Sequence, residues 1–332
     1  MQDAERAMLA TVARMYYLDG MSQGEIADIV GVSRSTVSRQ LTAARTHGIV
    51  RISVDDYDPR HPELEHALIQ QLGLRRALVV RGLDGSPVHA RKAVAYFSAD
   101  IVGSWIGSAT TIGVAGGRTL GMMTQFMEPQ PAGTASAPEI VHLMGTVGAM
   151  PSTIDASEIA RGLAQRLGGS VRAINAPAYM DDAQSRDLLI GHRQLRAVLE
   201  RFATLDVALI GIGTPVDSLF AERQSFSKRD HAILSASGAI GEICGRFFDA
   251  QGRECETPFR HRVIAIALEH LRKAGETIAI TAGASKHAAI RAAIAGRLID
   301  SLVIDEAGAA ALLASDTPVA APPRPGPAVR RA

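Results

Sequence analysis

Short, apolar, β-branched runs alternate with stretches of helical period through most of this chain. The clearest runs are Thr111–Val114, 140–143, 207–212, 277–281 and 302–304, with a further apolar run at 77–80. Strands buried on both faces read this way, because a parallel sheet between helices leaves no wet side for polar residues. A helix at 63–72 leads into the first run. Ser86 and Pro87 mark another helix start, with serine as cap and proline at the first helical position. Val94, Phe97, Ile101 and Trp105 then recur at helical spacing as a core-facing stripe. The alternation predicts an α/β fold, a large Rossmann-like, doubly wound and mostly parallel sheet. Hydrophobic residues at 47% against 21% charged supply enough apolar surface for such a core.

The pattern stops short of the N-terminus. The stretch at 55–62 is acidic and carries Pro59 and Pro62, so it reads as a linker. The expected boundaries are an N-terminal domain at 1–55, a linker at 56–62, a large domain at 63–315 and a disordered tail at 316–332, rich in proline and alanine.

Within the N-terminal domain, Ser22 followed three residues later by Glu25 is a capping box that starts a short helix. Ile26, Ile29 and Val30 give that helix an apolar face, and Gly31 ends it. Ser33 caps a second helix, in which Val37 and Leu41 face inward. Ala27 is small enough to let the two helices cross closely. Two helices joined by a turn of about three residues make a helix-turn-helix. The second helix turns Arg34, Ser35, Thr36, Ser38, Arg39 and Gln40 outward. Arginine pairs bidentately with guanine and glutamine with adenine in the major groove, while hydroxyls suit phosphates and base edges. Ser22, Gln23 and Ser33 join these as candidate DNA contacts. Between positions 33 and 51 stand Arg34, Arg39, Arg45 and Arg51 and no acid, a basic stripe that the net charge of +1 conceals. Positions 47–54 read as a turn and a strand, a small wing, so the domain is winged-helix-like. Tyr16 and Tyr17 read as packing residues rather than DNA contacts.

Several function classes are excluded. Cys244 and Cys255, which flank an expected hairpin, are too few for a disulfide framework, and no Cys/His cluster has zinc spacing. His192, His261 and His287 are isolated, so no catalytic residue, metal or cofactor is assigned. No signal peptide is visible, and no stretch reaches the roughly 18 apolar residues of a membrane span. A soluble, cytoplasmic chain without a membrane partner is expected.

The segment MYYLDGMSQGEIADIVGVSRSTVSRQLTAARTHGIVRISV resembles the DNA-binding part of the SorC family of sugar-binding transcriptional regulators. The resemblance continues through IGVAGGRTL at 112–120, LIGIGTP at 209–215, GAIGEICGRFFDAQG at 238–252 and IAITAGASKHAAIRAAIAGRLIDSLVIDEAGAAALL at 278–313. It implies a C-terminal domain similar to sugar-phosphate isomerases and deaminases, a phosphorylated sugar or polyol effector, and assembly as a homodimer or homotetramer. Its regulators carry operator DNA as partner and control carbohydrate or polyol catabolic operons.

The residues also point to an anion site. A strand runs into Gly116 and Gly117 and then a helix, so backbone N–H groups and a helix N-terminus face one place. Thr119 offers a hydroxyl and Arg118 a charged fork, although the family often has Ser or Thr at that position. Gly145 and Thr146 follow one strand, and Gly211 and Gly213 end another; each reads as part of a crevice at the strand ends or as an ordinary tight connection. Lys286 opens a helix, where a cation opposes the dipole, and an anionic ligand would account for it. The family pattern has a Gly-Gly pair before this lysine; here the pair is Ala282 and Gly283. Asp249 reads as a turn former, whereas the resemblance makes it a carboxylate for sugar hydroxyls. The reading reached is an effector-controlled transcriptional regulator. The alternative is a sugar-phosphate isomerase or deaminase with an added DNA-binding head.

Overall fold

The computed structural model describes residues 3–53, 57–82, 86–129, 137–148, 150, 152–222 and 227–314. The tail expected at 316–332, and residue 56 of the expected linker, lie outside the described residues. Contacts divide the chain into two compact units, Met1–Asp58 and Pro59–Ala332.

The first unit holds α1 (Asp3–Tyr17), α2 (Gln23–Val30) and α3 (Arg34–Thr46). Ser22 and Glu25 form the reciprocal capping box, and Gly31 closes α2 with a left-handed backbone. Ser33 caps α3 by accepting from the Thr36 N–H. Val12, Ile26, Ala27, Val37 and Leu41 make the core of the unit. Burying a side chain of the size of Val37 or Leu41 is worth about 1.5–3 kcal/mol. Ile29 departs from the expected apolar face and is 58% exposed. The α2 helix is covered on one side only, and Ile26, Ala27 and Val30 fill that side. The expected wing strand is also absent: residues 49–53 form bends and coil. A strand requires a paired neighbour, and the described residues of this unit contain none.

The second unit runs α4 (Pro62–Leu72), β1 (Arg76–Val80), α5 (Pro87–Ile106), β2 (Thr111–Val114), α6 (Arg118–Phe126), β3 (Glu139–His142), α7 (Ala156–Leu167) and β4 (Ser170–Arg172). It continues through α8 (Ala183–Gly191), α9 (Arg193–Leu199), β5 (Val207–Ile210), α10 (Leu219–Glu222), α11 (Lys228–Ala236), β6 (Gly241–Ile243) and β7 (Arg246–Phe248). It ends with α12 (Leu268–Lys273), β8 (Glu276–Ile280), α13 (His287–Ala295), β9 (Ser301–Asp305) and α14 (Glu306–Leu313).

Among the described residues, the main sheet has the order β1-β9-β8-β5-β2-β3-β4, and every pairing is parallel. Strand alternation divides its residues between two cores. Leu78, Val80, Ile112, Val114, Leu209, Ile278 and Val303 face one side, with α5, α6 and α7. Val79, Val141, Ala208, Ile210, Ala279, Leu302 and Ile304 face the other, with α4, α13 and α14. Period-two alternation with both faces buried is what a doubly wound sheet requires. Val94 is buried in the first core, and Phe97, Ile101 and Trp105 pack against it. Ser86 precedes α5 as expected but makes no side-chain cap bond. A separate hairpin pairs β6 with β7 antiparallel. Cys244 sits in its turn instead of flanking it, and both cysteines are free thiols. No helix among the described residues is long and apolar enough to cross a membrane.

Candidate functional site

In the first unit, α3 presents its polar face to solvent. Arg34, Ser35, Ser38, Arg39, Arg45 and Arg51 are exposed, and Thr36 is partly so. The Ser33 hydroxyl binds the side chains of Ser35 and Thr36, each at 2.9 Å, and Arg39 donates to Thr36 Oγ1 at 3.3 Å. The hydroxyls and Arg39 therefore form one connected surface at the start of α3. Ser22 and Ser33 spend acceptor capacity on helix caps, and their O–H groups are donors by nature. Gln23 is half-buried at the start of α2. Gln40 is also half-buried, with its Oε1 enclosed and unbonded, so it is not the outward reader its position on α3 predicts. Tyr16 and Tyr17, expected as packing residues, are each more than a third exposed and meet edge to face at 5.0 Å.

In the second unit, the strand order turns around between β2 and β5. The chain winds outward through β3 and β4 from one, and through β8 and β9 from the other. Ligands of open α/β sheets sit outside the carboxyl ends of strands at such a point. A small crevice, open to solvent and enclosing about 50 Å³, lies there. Gly116, Gly117, Arg118 and Thr119 line it after β2, Gly211 and Gly213 after β5, and Lys286 after β8. The Gly117 amide already donates to the Ile154 carbonyl at 2.8 Å. The first turn of α6 has no side-chain cap and carries a helix N-terminal partial charge.

Lys286 is 9% exposed. Its Nζ lies 3.5 Å from Asp217 Oδ2, and Arg118 pairs with the other oxygen of Asp217. Burial pulls Lys286 below the ordinary lysine range, and Asp217 pulls it partly back. Burial would raise the Asp217 carboxyl, but Lys286, Arg118 and Arg91 together hold it below the usual range. The turn before Lys286 is set by Gly283, whose φ of 105° only glycine adopts readily and whose amide donates to Asp305 Oδ1 at 2.6 Å.

The lining residues that escape the sequence reading include Arg91, Asp217, Glu242 and Thr281. Glu242 is fully enclosed on β6 and accepts from the Gly245 N–H. Its backbone bonds Gly213 in both directions at 2.9 Å. A Cβ at Gly213 would stand 2.7 Å from Glu242 Oε2, so glycine there admits the carboxyl. Burial pushes its pKa up to about 7, against the pull of the Gly245 amide and Lys286. Thr281 Oγ1 is buried without a hydrogen-bond partner. The sequence signal for Glu242 and Thr281 is only their place beside a strand end. Three cations, a helix start, hydroxyls and a carboxyl near neutrality together suit a ligand bearing both an anionic group and hydroxyls.

Three predicted residues lie elsewhere. Gly145 donates its amide to Ile264 at 3.0 Å, and a Cβ there would meet the Ala176 carbonyl at 2.4 Å; close packing accounts for it. Thr146 bonds Ala176 and lines a neighbouring hollow with Pro177, Tyr179 and Arg262. Asp249 accepts from the backbone amides of Gln251 and Arg253, each at 2.9 Å, and pairs with the Arg253 side chain. Its carboxylate closes a turn outside the crevice.

An exposed arginine helix and a sheet-end crevice define a class, a helix-turn-helix transcriptional regulator with a sugar-binding domain. The Sugar-bind family model, a sugar-binding domain, matches residues 60–314, and the Sigma-70 region 4 model matches residues 13–47. The chain therefore belongs to the Sugar-bind family and is a member of the SorC group of regulators. It is 28% identical over 312 residues to the deoxyribonucleoside regulator of Bacillus subtilis (strain 168), covering 94% of this chain and 99% of the relative. It is 28% identical over 308 residues to the sorbitol operon regulator of Klebsiella pneumoniae, covering 92% and 97%. The crystal structure of full-length SorC from Klebsiella pneumoniae superposes with a TM-score of 0.73 at 28% identity, covering 94% of this chain and 99% of that one.

Proposed function

We propose that this chain regulates a carbohydrate or polyol catabolic operon. Arg34, Ser35, Thr36, Ser38 and Arg39 contact operator DNA, with Ser22, Gln23 and Ser33 at the flanking helix starts. A phosphorylated sugar or polyol enters the crevice and changes the grip on DNA. Its phosphate meets Arg118, Lys286 and the first turn of α6 around Thr119, with Gly117 and Gly211 giving it close approach, while Gly116 and Gly213 make room for Leu219 and Glu242. Glu242 and Thr281 take its hydroxyls. The chain works as a homodimer or homotetramer, since paired half-sites about 10 base pairs apart suit a symmetric reader. The observation that carries this reading is the enclosed Lys286 ammonium among hydroxyls and a helix start, in a chain that also bears an acid-free arginine helix.

The test is a thermal-shift screen of phosphorylated sugars and polyols on the full chain, followed by operator binding with and without each hit. A ligand at 100 times its Kd stabilises by about 2.7 kcal/mol. No stabilisation by any of them, or unchanged operator binding by every hit, would overturn the reading. One observation favours an enzyme instead: a carboxyl with a pKa about 7 in a crevice that also holds a lysine is suited to acid–base chemistry. Turnover of a sugar phosphate by the purified chain would decide for it.

A further inference from the structure

Asp217 occupies the place where an anionic ligand group has to bind. One of its oxygens accepts from the Arg118 guanidinium, and the other lies 3.5 Å from Lys286 Nζ. A carboxylate bridging a guanidinium and an ammonium uses the same two cations that two oxygens of a phosphate would use. Both anions cannot hold those cations together, because like charges at contact distance repel strongly in a partly enclosed site. Asp217 is 40% exposed on its side chain, so it has an open side toward which to withdraw.

The residue also belongs to a segment built as one piece. Thr214 and Asp217 exchange backbone hydrogen bonds at 3.0 and 3.2 Å, and Thr214 Oγ1 takes a further bond from the Asp217 amide. Ser218 then caps α10 by accepting from the Ala221 N–H at 3.2 Å. Phe220, on that short helix, is fully buried. Its ring meets Tyr179 edge to face at 5.0 Å, and it packs over the β6–β7 turn, where a Cβ on Gly245 would lie 2.8 Å from it. Tyr179 in turn donates its hydroxyl to the Gly245 carbonyl. Phe220 therefore stands between the crevice and the hollow lined by Thr146 and Arg262, and it lines both.

We propose that Asp217 is an internal stand-in for the ligand's anionic group, holding Arg118 and Lys286 until that group displaces it and moves residues 214–222. The inference rests on the phosphate reading of the crevice and adds a competitor and a moving part to it. Binding becomes an exchange of one anion for another. The affinity measured for a phosphate is lowered by the cost of expelling Asp217, and occupancy reaches Phe220 and Tyr179 through α10.

The test uses the full-length chain, its Asp217→Asn form and its Asp217→Ser form. Inorganic phosphate and glucose 6-phosphate are titrated by calorimetry, and hydrogen exchange is followed in residues 214–222. Thermal melts first establish that each variant is folded; the serine form replaces the asparagine form if the latter is not. The expected result is at least about tenfold tighter phosphate binding by the variant, a gain of about 1.4 kcal/mol. The variant's exchange in 214–222, measured without phosphate, should match that of the wild type with phosphate. Unchanged or weaker binding by a folded variant overturns the stand-in role, because Asp217 would then orient Arg118 or the ligand. Unchanged exchange in a variant that binds more tightly overturns the moving part. If neither wild type nor variant binds either probe, the phosphate reading falls and takes this inference with it. If the wild type binds and the variant gains nothing, only the role of Asp217 falls.

Discussion

Two buried side chains of the sugar-binding domain titrate in opposite senses. Glu242 is raised by burial to about 7, and His142 is lowered to about 4, chiefly by burial and secondarily by Arg161. Both are favoured neutral in the folded chain. For Glu242, folded and unfolded forms are alike below pH 4.5. As pH rises from there through 7, the unfolded chain releases its proton first and stability falls. For His142, the two forms are alike above pH 6.5. As pH falls toward 4, the unfolded chain takes up a proton first and stability falls again. One pKa unit corresponds to about 1.4 kcal/mol, so each effect is on the order of 2–3 kcal/mol between pH 4.5 and 6.5, and they offset. Glu242→Gln should leave a chain that loses stability by that amount as pH is lowered from 6.5 to 4.5. His142→Asn, which keeps an acceptor for the Ile174 amide now bonded to Nδ1, should leave one that gains it. Urea denaturation at the two pH values checks both; parallel behaviour of all three proteins would contradict the assignment.

At the scale of elements, caps and close approaches decide what a substitution costs. Ser22→Ala removes the hydroxyl that accepts from the Glu25 N–H and leaves only the backbone half of the α2 capping box; it should destabilise the first unit by about 1 kcal/mol, read by chemical denaturation. Gly145→Ala drives a methyl against the Ala176 carbonyl. It should cost about 1–3 kcal/mol as overpacking while leaving ligand affinity within about twofold, a split that calorimetry and denaturation together resolve. These elements differ in how far the sequence revealed them. The ends of α2 and α3 were legible because Ser22, Glu25, Gly31 and Ser33 act within one turn of their own position. The central strands were legible because burial on both faces leaves runs of apolar residues. β4 was not, since Ser170, Val171 and Arg172 lie exposed at the sheet's rim. The β6–β7 turn carries Cys244 at positive φ in place of the asparagine or aspartate that usually marks such a hairpin. In the crevice, Lys286 was legible from its misfit at a helix start. Gly145 stayed open between two readings because a glycine after a strand looks the same whether it admits a ligand or a neighbouring backbone; the Ala176 carbonyl favours the second. Asp217 and Glu242 were invisible, because their roles depend on cations and glycines far away in sequence.

For the whole molecule, the proposed division of labour predicts a double dissociation. Arg39→Ala should weaken operator binding by about 1–3 kcal/mol while leaving the affinity for a phosphorylated ligand intact. Lys286→Ala should abolish the ligand's effect while leaving operator binding intact. Gel-shift titrations with and without ligand read both. Coupling of this kind is about 1–3 kcal/mol, or roughly 5–150-fold in affinity, so the loss is measurable. Exchange of the two phenotypes would show that the functions had been assigned to the wrong places.

The rims of the main sheet carry a consequence for assembly. At the β1 rim, Arg60 bridges Val80, the His61 amide donates to the Val79 carbonyl, and the Arg81 amide donates to Pro59. The opposite rim is the three-residue β4, where Arg172 is tied to Glu139. Neither margin offers a long bare ladder onto which a foreign or sister strand could zip. Among the described residues, strand-to-strand pairing between copies would thus be confined to the three residues of β4, too short an edge to seed fibre-like stacking.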